Sequence, residues 1–189
     1  MRTDPTFWLL ARSGGFLAYL LVTASLRAGL LLKVRPFASL RPQVAMELHR
    51  FLSLLALAAT GLHGLALLLD TYLPFGLADL LVPGTAPYRP LATALGVVAA
   101  ELTLAVYLSF SLRRHIRVRN WRRLHWATYA VFVLATAHGI AAGSDSDRGF
   151  AAALYALAAG SVAAAIAWRT LAPPAARTRR TAASRSLAS

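Results

Sequence analysis

The chain has 189 residues, of which 58% are hydrophobic and only 14% are charged. In a soluble domain about a quarter of all residues are charged, so this composition indicates an integral membrane protein. The absence of cysteine excludes iron–sulfur clusters, disulfides, thiolate-ligated haem and cysteine zinc sites. The net charge of +13 comes from short basic stretches between apolar runs, which indicate membrane orientation and no nucleic-acid partner.

Five stretches are long enough to cross a bilayer, which takes about 20 mostly apolar residues. They cover residues 7–31, 47–69, 91–112, 122–142 and 150–170. We interpret the first as a retained helix and not a cleaved signal, because no small-residue cleavage site follows its long apolar run. We therefore predict an all-α integral membrane protein, with a five-helix transmembrane bundle in residues 1–172.

The loops between these stretches alternate in charge. Basic residues fill the first loop, the third loop and the tail: Lys33, Arg35, Arg41, Arg113, Arg114, Arg117, Arg119, Arg122, Arg123, Arg177, Arg179, Arg180 and Arg185. The second and fourth loops carry Asp70, Asp79, Asp145 and Asp147 against Arg89 and Arg148. The positive-inside rule then predicts an outside N-terminus and an inside C-terminus. Residues 173–189 are predicted to form a disordered basic cytoplasmic tail near anionic lipid.

Two of the predicted helices carry a pair of histidines each. In the second helix, His49 and His63 are fourteen residues apart, and in the fourth, His125 and His138 are thirteen apart. Fourteen residues span about 21 Å and nearly four turns, so both imidazoles of the second helix project from about the same face. Thirteen residues leave the other two roughly 140° apart on an ideal helix. We therefore expect a kink, a tightened turn or unequal side-chain reach in the fourth helix.

The second and fourth helices run in the same direction, which pairs the histidines by depth. His49 should face His125 on the inner side, and His63 should face His138 on the outer side. Polar groups inside a bilayer are costly and usually functional, and a flat macrocycle fits between two imidazoles, so we predict two b-type haems. The alternatives are another metal or proton role, or histidines that bond only to backbone carbonyls. A zinc ion bound by the histidines alone fits poorly, because each histidine pair supplies only two ligands.

These helices also resemble a known family. The fourth contains NWRRLHWATYAVFVLATAHGIAAGSDS, which resembles a helix of the ferric reductase-like transmembrane domain. That superfamily includes NADPH oxidases, ferric reductases and the haem membrane subunit of bacterial methionine sulfoxide reductase. The family's residues recur in order as Trp121, Leu124, His125, Tyr129, His138 and Gly139. The second helix, ELHRFLSLLALAATGLHGLALLLD, is similar to its partner helix, and the resemblance covers about residues 8–170.

The resemblance implies that His49, His63, His125 and His138 are the axial ligands of two haem b groups. The implied function is transmembrane electron transfer by the haem subunit of an oxidoreductase in the plasma membrane. The family usually has six helices, and we expect the first to be missing here. We also expect no flavin or nicotinamide domain in this chain, so its partner would be a separate flavoprotein, a quinone or an extracytoplasmic flavin protein. The alternatives are an outer-face reductase of oxygen or ferric chelates, and a histidine-lined proton or metal transporter.

Three further kinds of residue have candidate roles. Arg12 lies inside the first predicted helix and needs a partner there, for which the outer haem propionates are candidates and lipid phosphate is the alternative. The family carries an arginine in the corresponding helix. Gly14 and Gly15 would permit close approach of a helix or macrocycle. Glu101, a carboxylate within the third predicted helix, would deliver protons or bond to a neighbouring helix.

Other charged and aromatic residues flank the inner histidines. Arg50, Arg122 and Arg123 are interpreted as positive-inside residues, with pairing to inner propionates as the alternative. Trp121 and Trp126 are interpreted as interfacial anchors.

Overall fold

The computed structural model describes residues 5–34 and 41–171. That part of the chain forms seven α-helices and no strand. They are α1 (Thr6–Val34), α2 (Pro42–Leu69), α3 (Leu77–Leu81), α4 (Pro90–Leu112), α5 (Val118–His125), α6 (Ala127–Ala142) and α7 (Gly149–Leu171). Arg35 and the predicted tail 173–189 lie outside the described residues.

Five segments are long and apolar enough to cross a membrane: α1, α2, α4, α7 and the stretch Val118–Ala142, which combines α5 and α6. The prediction is confirmed in the described residues, which are all-helical and include five helices long and apolar enough to cross a membrane. Large apolar side chains cover the outside of the bundle, including Leu62 at 65% exposure and Leu157 at 73%. A water-soluble surface rarely exposes so many large apolar side chains, whereas lipid tails accept them. The described helices fit a multi-pass membrane protein.

Prolines set two of the helix starts. Pro42 and Pro90 occupy the first turns of α2 and α4, where a missing backbone N–H costs nothing. The second spanning helix therefore begins at Pro42 and not at the predicted residue 47. The short helix α3 between them was not predicted. At its start the carboxylate of Asp79 accepts a hydrogen bond from the N–H of Gly76, at 2.8 Å.

The fourth predicted helix is interrupted at Trp126, between α5 and α6. The N–H of Tyr129 donates to the carbonyl of Trp126 at 3.1 Å, a tightened turn that leaves the carbonyl of His125 free. That carbonyl accepts the hydroxyl of Thr128 instead, at 2.9 Å. In such a turn each residue advances about 120° instead of 100°, which rotates His125 toward the face of His138. The predicted distortion of this helix is confirmed.

The core lies where α1, α6 and α7 meet. The ring of Tyr19 stacks on Phe132 with centroids 5.9 Å apart and meets the edge of Tyr155 at 5.1 Å. Its hydroxyl lies 3.1 Å from the hydroxyl of Thr136 on α6. Helix α7 contributes a seam of buried residues spaced three and four apart: Ala151, Tyr155, Ala158, Val162 and Ala165. The alanines in this seam let the helix backbones approach closely.

Two helix pairs build the rest of the bundle. Helix α2 packs mainly on α1, and α6 packs mainly on α4. The two pairs contact each other where α1 meets α6 and where α2 meets α4. The two histidine-bearing segments, α2 and α5–α6, therefore face one another across the bundle.

Replacing Gly139 by alanine should destabilise the bundle. A Cβ there would lie 2.9 Å from Cζ of Tyr155 and closer still to its hydroxyl. We expect Gly139→Ala to cost about 2 kcal/mol through overpacking, measured as a lower thermal unfolding midpoint in detergent. The control is Gly160→Ala on α7, where a Cβ meets no atom within 4 Å. Equal midpoints for the two variants would contradict this packing.

Candidate functional site

The four predicted histidines form two facing pairs. The ring centroids of His49 and His125 are 6.2 Å apart, and those of His63 and His138 are 6.4 Å apart. Within each pair the ring planes cross at steep angles, 85° and 72°. The structure thus brings together the same pairs that helix direction and spacing predicted.

These distances suit a metal ion bound between the rings. A metal–nitrogen bond is about 2 Å long and a ring nitrogen lies about 1 Å from its ring centre, so two imidazoles on opposite sides of one ion have centroids about 6 Å apart. Among the described residues, no three His, Cys, Asp or Glu side chains gather at one point. Each pair therefore supplies two nitrogen donors, and the residues fit an ion whose other donors come from a planar macrocycle.

Backbone carbonyls orient three of the four imidazoles through Nδ1. The bonds join His63 to the carbonyl of Ala11 (2.6 Å), His138 to that of Ala92 (2.8 Å) and His49 to that of Ser25 (2.9 Å). Because a carbonyl only accepts, each of these rings carries a proton on Nδ1, and in the neutral ring the lone pair is then on Nε2. This is the tautomer that binds a metal through Nε2, and the carbonyl bond makes the ligand more basic.

A glycine stands four residues after each of these carbonyls. A helix carbonyl points toward the residue four positions on, so a side chain at that position would crowd an incoming ring. A Cβ at Gly15 would lie 3.2 Å from His63, at Gly29 3.1 Å from His49, and at Gly96 2.6 Å from His138. We call Gly15, Gly29 and Gly96 the cradle glycines.

Sequence reasoning identified only Gly15 of these three. Gly14, which it also singled out, would place a Cβ 3.6 Å from the backbone of His63, an ordinary packing distance. A signal for Gly29 was present: Gly15 and Gly29 are fourteen residues apart on α1, the same spacing as His49 and His63 on the neighbouring α2. Gly96 has no such repeat to reveal it.

His125 is held differently from the other three. In the part of the chain that the structure describes, no backbone carbonyl bonds to its ring. Instead the ring stacks on the indole of Trp121, one turn earlier in α5, with centroids 5.3 Å apart and planes at 24°. The indole Nε1 of Trp121 is buried and has no hydrogen-bond partner among the described residues.

Arg12 pairs with a carboxylate from another part of the chain. Its guanidinium forms an ion pair with Asp145, in the loop between α6 and α7, and lies 4.5 Å from the ring centre of Trp8. Asp145 is only 2% exposed, and Nε of Arg148 lies 3.0 Å from its other oxygen. Asp145 therefore supplies the partner that a cation at this depth needs. Contact between Arg12 and an outer haem propionate stays a prediction.

This ion pair lies close in the chain to the segments that hold His63 and His138. Arg12 directly follows Ala11, whose carbonyl holds His63, and Asp145 follows the helix that carries His138. A second arginine, Arg89, contacts the end of α6, the helix that carries His138, and the sequence analysis assigned no role to it. Arg89 has a left-handed backbone (φ 43°), and its Nη1 donates to the carbonyl of Ala141 at 2.6 Å, in the last turn of α6.

Glu101 lies on the exposed face of α4. Among the described residues, no neighbouring helix hydrogen-bonds to its carboxylate, so the expected bond to a neighbour is not found there. Its role in proton delivery stays a prediction.

Removing the charge of Asp145 should destabilise the end of the bundle that holds His63 and His138. Asp145→Asn leaves Arg12 without its counter-charge, and breaking a buried pair in this way costs about 3 kcal/mol. The readout is the thermal unfolding midpoint in detergent. Asp147→Asn, an exposed carboxylate two residues on, is the control. A similar loss in both variants would mean that the Arg12 pair is not the cause.

Comparison with protein families gives one match. A family model described as a domain of unknown function (DUF8596) matches residues 6–145. That range includes all four histidines, the three cradle glycines and both partners of the Arg12–Asp145 pair. No curated protein and no solved structure matches the chain. Because the model covers well over half of the sequence, the chain belongs to the DUF8596 family of domains of unknown function.

Proposed function

We propose that the protein is a membrane cytochrome of the ferric reductase-like kind, which transfers electrons across the bilayer through two b-type haems. The observation that supports this most directly is the spacing of the two imidazole pairs, 6.2 and 6.4 Å between ring centres. Haem bound at each level would supply reversible one-electron chemistry.

The chain's own residues would hold each group from both sides. His49 and His125 would hold one haem, and His63 and His138 would hold the other. The carbonyls of α1 and α4 keep a proton on Nδ1 of three rings, which leaves the lone pair of the neutral ring on Nε2 for a metal ion. Buried apolar side chains of α1, α6 and α7 exclude water from the bundle interior.

The spacing of the histidines suits transfer from one side of the membrane to the other. Fourteen residues of α2 separate the two levels, a rise of about 21 Å in a hydrocarbon layer of about 30 Å. Each level therefore lies near one membrane surface, where a partner could deliver or accept an electron.

The distribution of arginines supports one orientation of the proposed cytochrome in the membrane. Exposed arginines surround the His49–His125 level, namely Arg50, Arg113, Arg122 and Arg123. By the positive-inside rule this level would be cytoplasmic and the His63–His138 level outer, in the plasma membrane. The proposed partners are a separate flavoprotein, a quinone or an extracytoplasmic flavin protein.

The proposal predicts a haem spectrum and a specific pattern of haem loss. The purified protein should contain two haem b per chain and show an absorption spectrum that changes on reduction. His49→Ala and His125→Ala should each lose the same haem, because one axial ligand is removed from the same pair. His63→Ala and His138→Ala should each lose the other. The measurement is haem content by the pyridine haemochrome method, with redox spectra to identify the haem that is left.

The control for these variants is His115→Ala. His115 is exposed in the turn after α4, so both haems should be retained. A wild-type protein without haem absorption would refute the proposal and favour a proton or metal transporter. Loss of the same haem from His49→Ala and His138→Ala would refute the pairing.

The cradle glycines give a second prediction. In Gly96→Ala the new methyl group would lie 2.6 Å from Nδ1 of His138, so the ring must move away from the carbonyl of Ala92. We expect loss of the His63–His138 haem, or about a tenfold or greater fall in its affinity, as for other residues that orient metal ligands. Haem content during titration with haem b measures this.

Gly61→Ala is the matched control, since a Cβ at Gly61 on α2 meets nothing within 4 Å. Normal haem affinity in Gly96→Ala would show that the carbonyl bond to His138 is dispensable.

A further inference from the structure

We propose that the indole N–H of Trp121 donates a hydrogen bond to a carboxylate oxygen of the group held between His49 and His125. The inference rests on the proposed function, under which that oxygen belongs to a haem propionate. Trp121 would then bind the cofactor directly and would not be a membrane anchor.

The first observation is an unsatisfied donor in a fixed position. Nε1 of Trp121 is shielded from solvent, and no acceptor among the described residues reaches it. A buried N–H without a partner is costly, because water cannot replace the missing bond. The ring itself is held in place by its stack on His125, 5.3 Å between centroids. The donor therefore lies one helical turn from a proposed axial ligand.

The second observation separates Trp121 from an interfacial tryptophan. Such a residue keeps its ring in the apolar layer and presents its N–H to water or headgroups. Trp126, five residues later, fits that description with 66% of its surface exposed. Trp121 is partly buried, and its N–H is hidden. The expectation that both tryptophans are interfacial anchors therefore suits Trp126 alone.

The third observation concerns the charge around this end of the bundle. The guanidinium groups of Arg50 and Arg113 lie 4.9 and 3.8 Å from the ring centre of Phe110. Neither arginine forms an ion pair with a carboxylate among the described residues. The ion pairs that the described residues do form involve Asp145, at the opposite end of the bundle. An acceptor with negative charge is favoured here, and hydrogen bonds to ionised acceptors are about twice as strong as neutral ones.

The test compares Trp121→Phe with Trp126→Phe. Phenylalanine keeps an aromatic ring against His125 and removes the N–H together with the rest of the pyrrole ring, and the haem ester described below separates these two losses. The assay follows transfer of haem b from the full-length protein in nanodiscs to apomyoglobin. We expect Trp121→Phe to release one of its two haems about tenfold faster than the wild type, the effect of losing one hydrogen bond to a charged group. The haem retained longer should have the spectrum of the one retained in His125→Ala. Trp126→Phe should release both haems at the wild-type rates.

A second arm identifies the acceptor with haem dimethyl ester, in which both propionates are esterified. If Trp121 binds a propionate, Trp121→Phe should accelerate release of the ester much less than release of haem b, because a neutral ester carbonyl accepts a weaker hydrogen bond than a carboxylate. Equal acceleration for haem b and for the ester would overturn the proposal, because the lost contact would not involve the carboxylate. An effect of Trp121→Phe that vanishes when anionic lipid is replaced by zwitterionic lipid would also overturn it, in favour of the headgroup of an anionic lipid.

The two proposals fail in different ways. A wild-type protein that binds no haem b refutes the proposed function. A protein that binds two haems, and that releases both at unchanged rates in Trp121→Phe, refutes the role of Trp121 and leaves the cytochrome intact.

Discussion

The hydrogen bond from an imidazole Nδ1 to a helix carbonyl is the interaction on which the site depends. A helix interior has no spare carbonyls, so each of these oxygens serves its own helix and a histidine together. The second bond forms only where the residue four positions on has no side chain, which is why a glycine accompanies each carbonyl. Through this requirement the acceptor helices α1 and α4 constrain the site as strongly as the histidine-bearing helices do. Fixing the proton on Nδ1 leaves Nε2 of these three rings as the nitrogen that can bind a metal ion.

Much of the fold follows from simple properties of the sequence. Apolar length was enough to find five spanning segments, and helix direction was enough to pair His49 with His125 and His63 with His138. The sequence alone predicts a distortion of the fourth helix, because thirteen residues do not complete four turns of an ideal helix. It does not predict that the break lies at Trp126, because that position depends on which carbonyl the hydroxyl of Thr128 can reach. Local exchanges of backbone partners of this kind leave no periodic pattern in a sequence.

The parts of the site that sequence reasoning missed are long-range contacts. Arg12 was recognised as a cation in need of a partner, but Asp145 lies 133 residues away and was read as a loop charge. Gly29 and Gly96 look like ordinary small residues of membrane helices until the rings that they admit are known. Trp121 and Trp126 are chemically identical and close in sequence, yet one N–H is buried and the other side chain is largely exposed. Only the tertiary arrangement separates them.

The order of the helices along the chain has a consequence for biogenesis. The carbonyl helix α1 precedes its histidine helix α2, and α4 precedes α6. Each hairpin therefore contains both the oriented imidazoles and the carbonyls that orient them, and it can form as soon as its second helix enters the membrane. Each imidazole pair, however, takes one ring from each hairpin. A ligand that needs both rings can be captured only after the second hairpin has been inserted, so synthesis of the chain itself sets the earliest time at which the site exists.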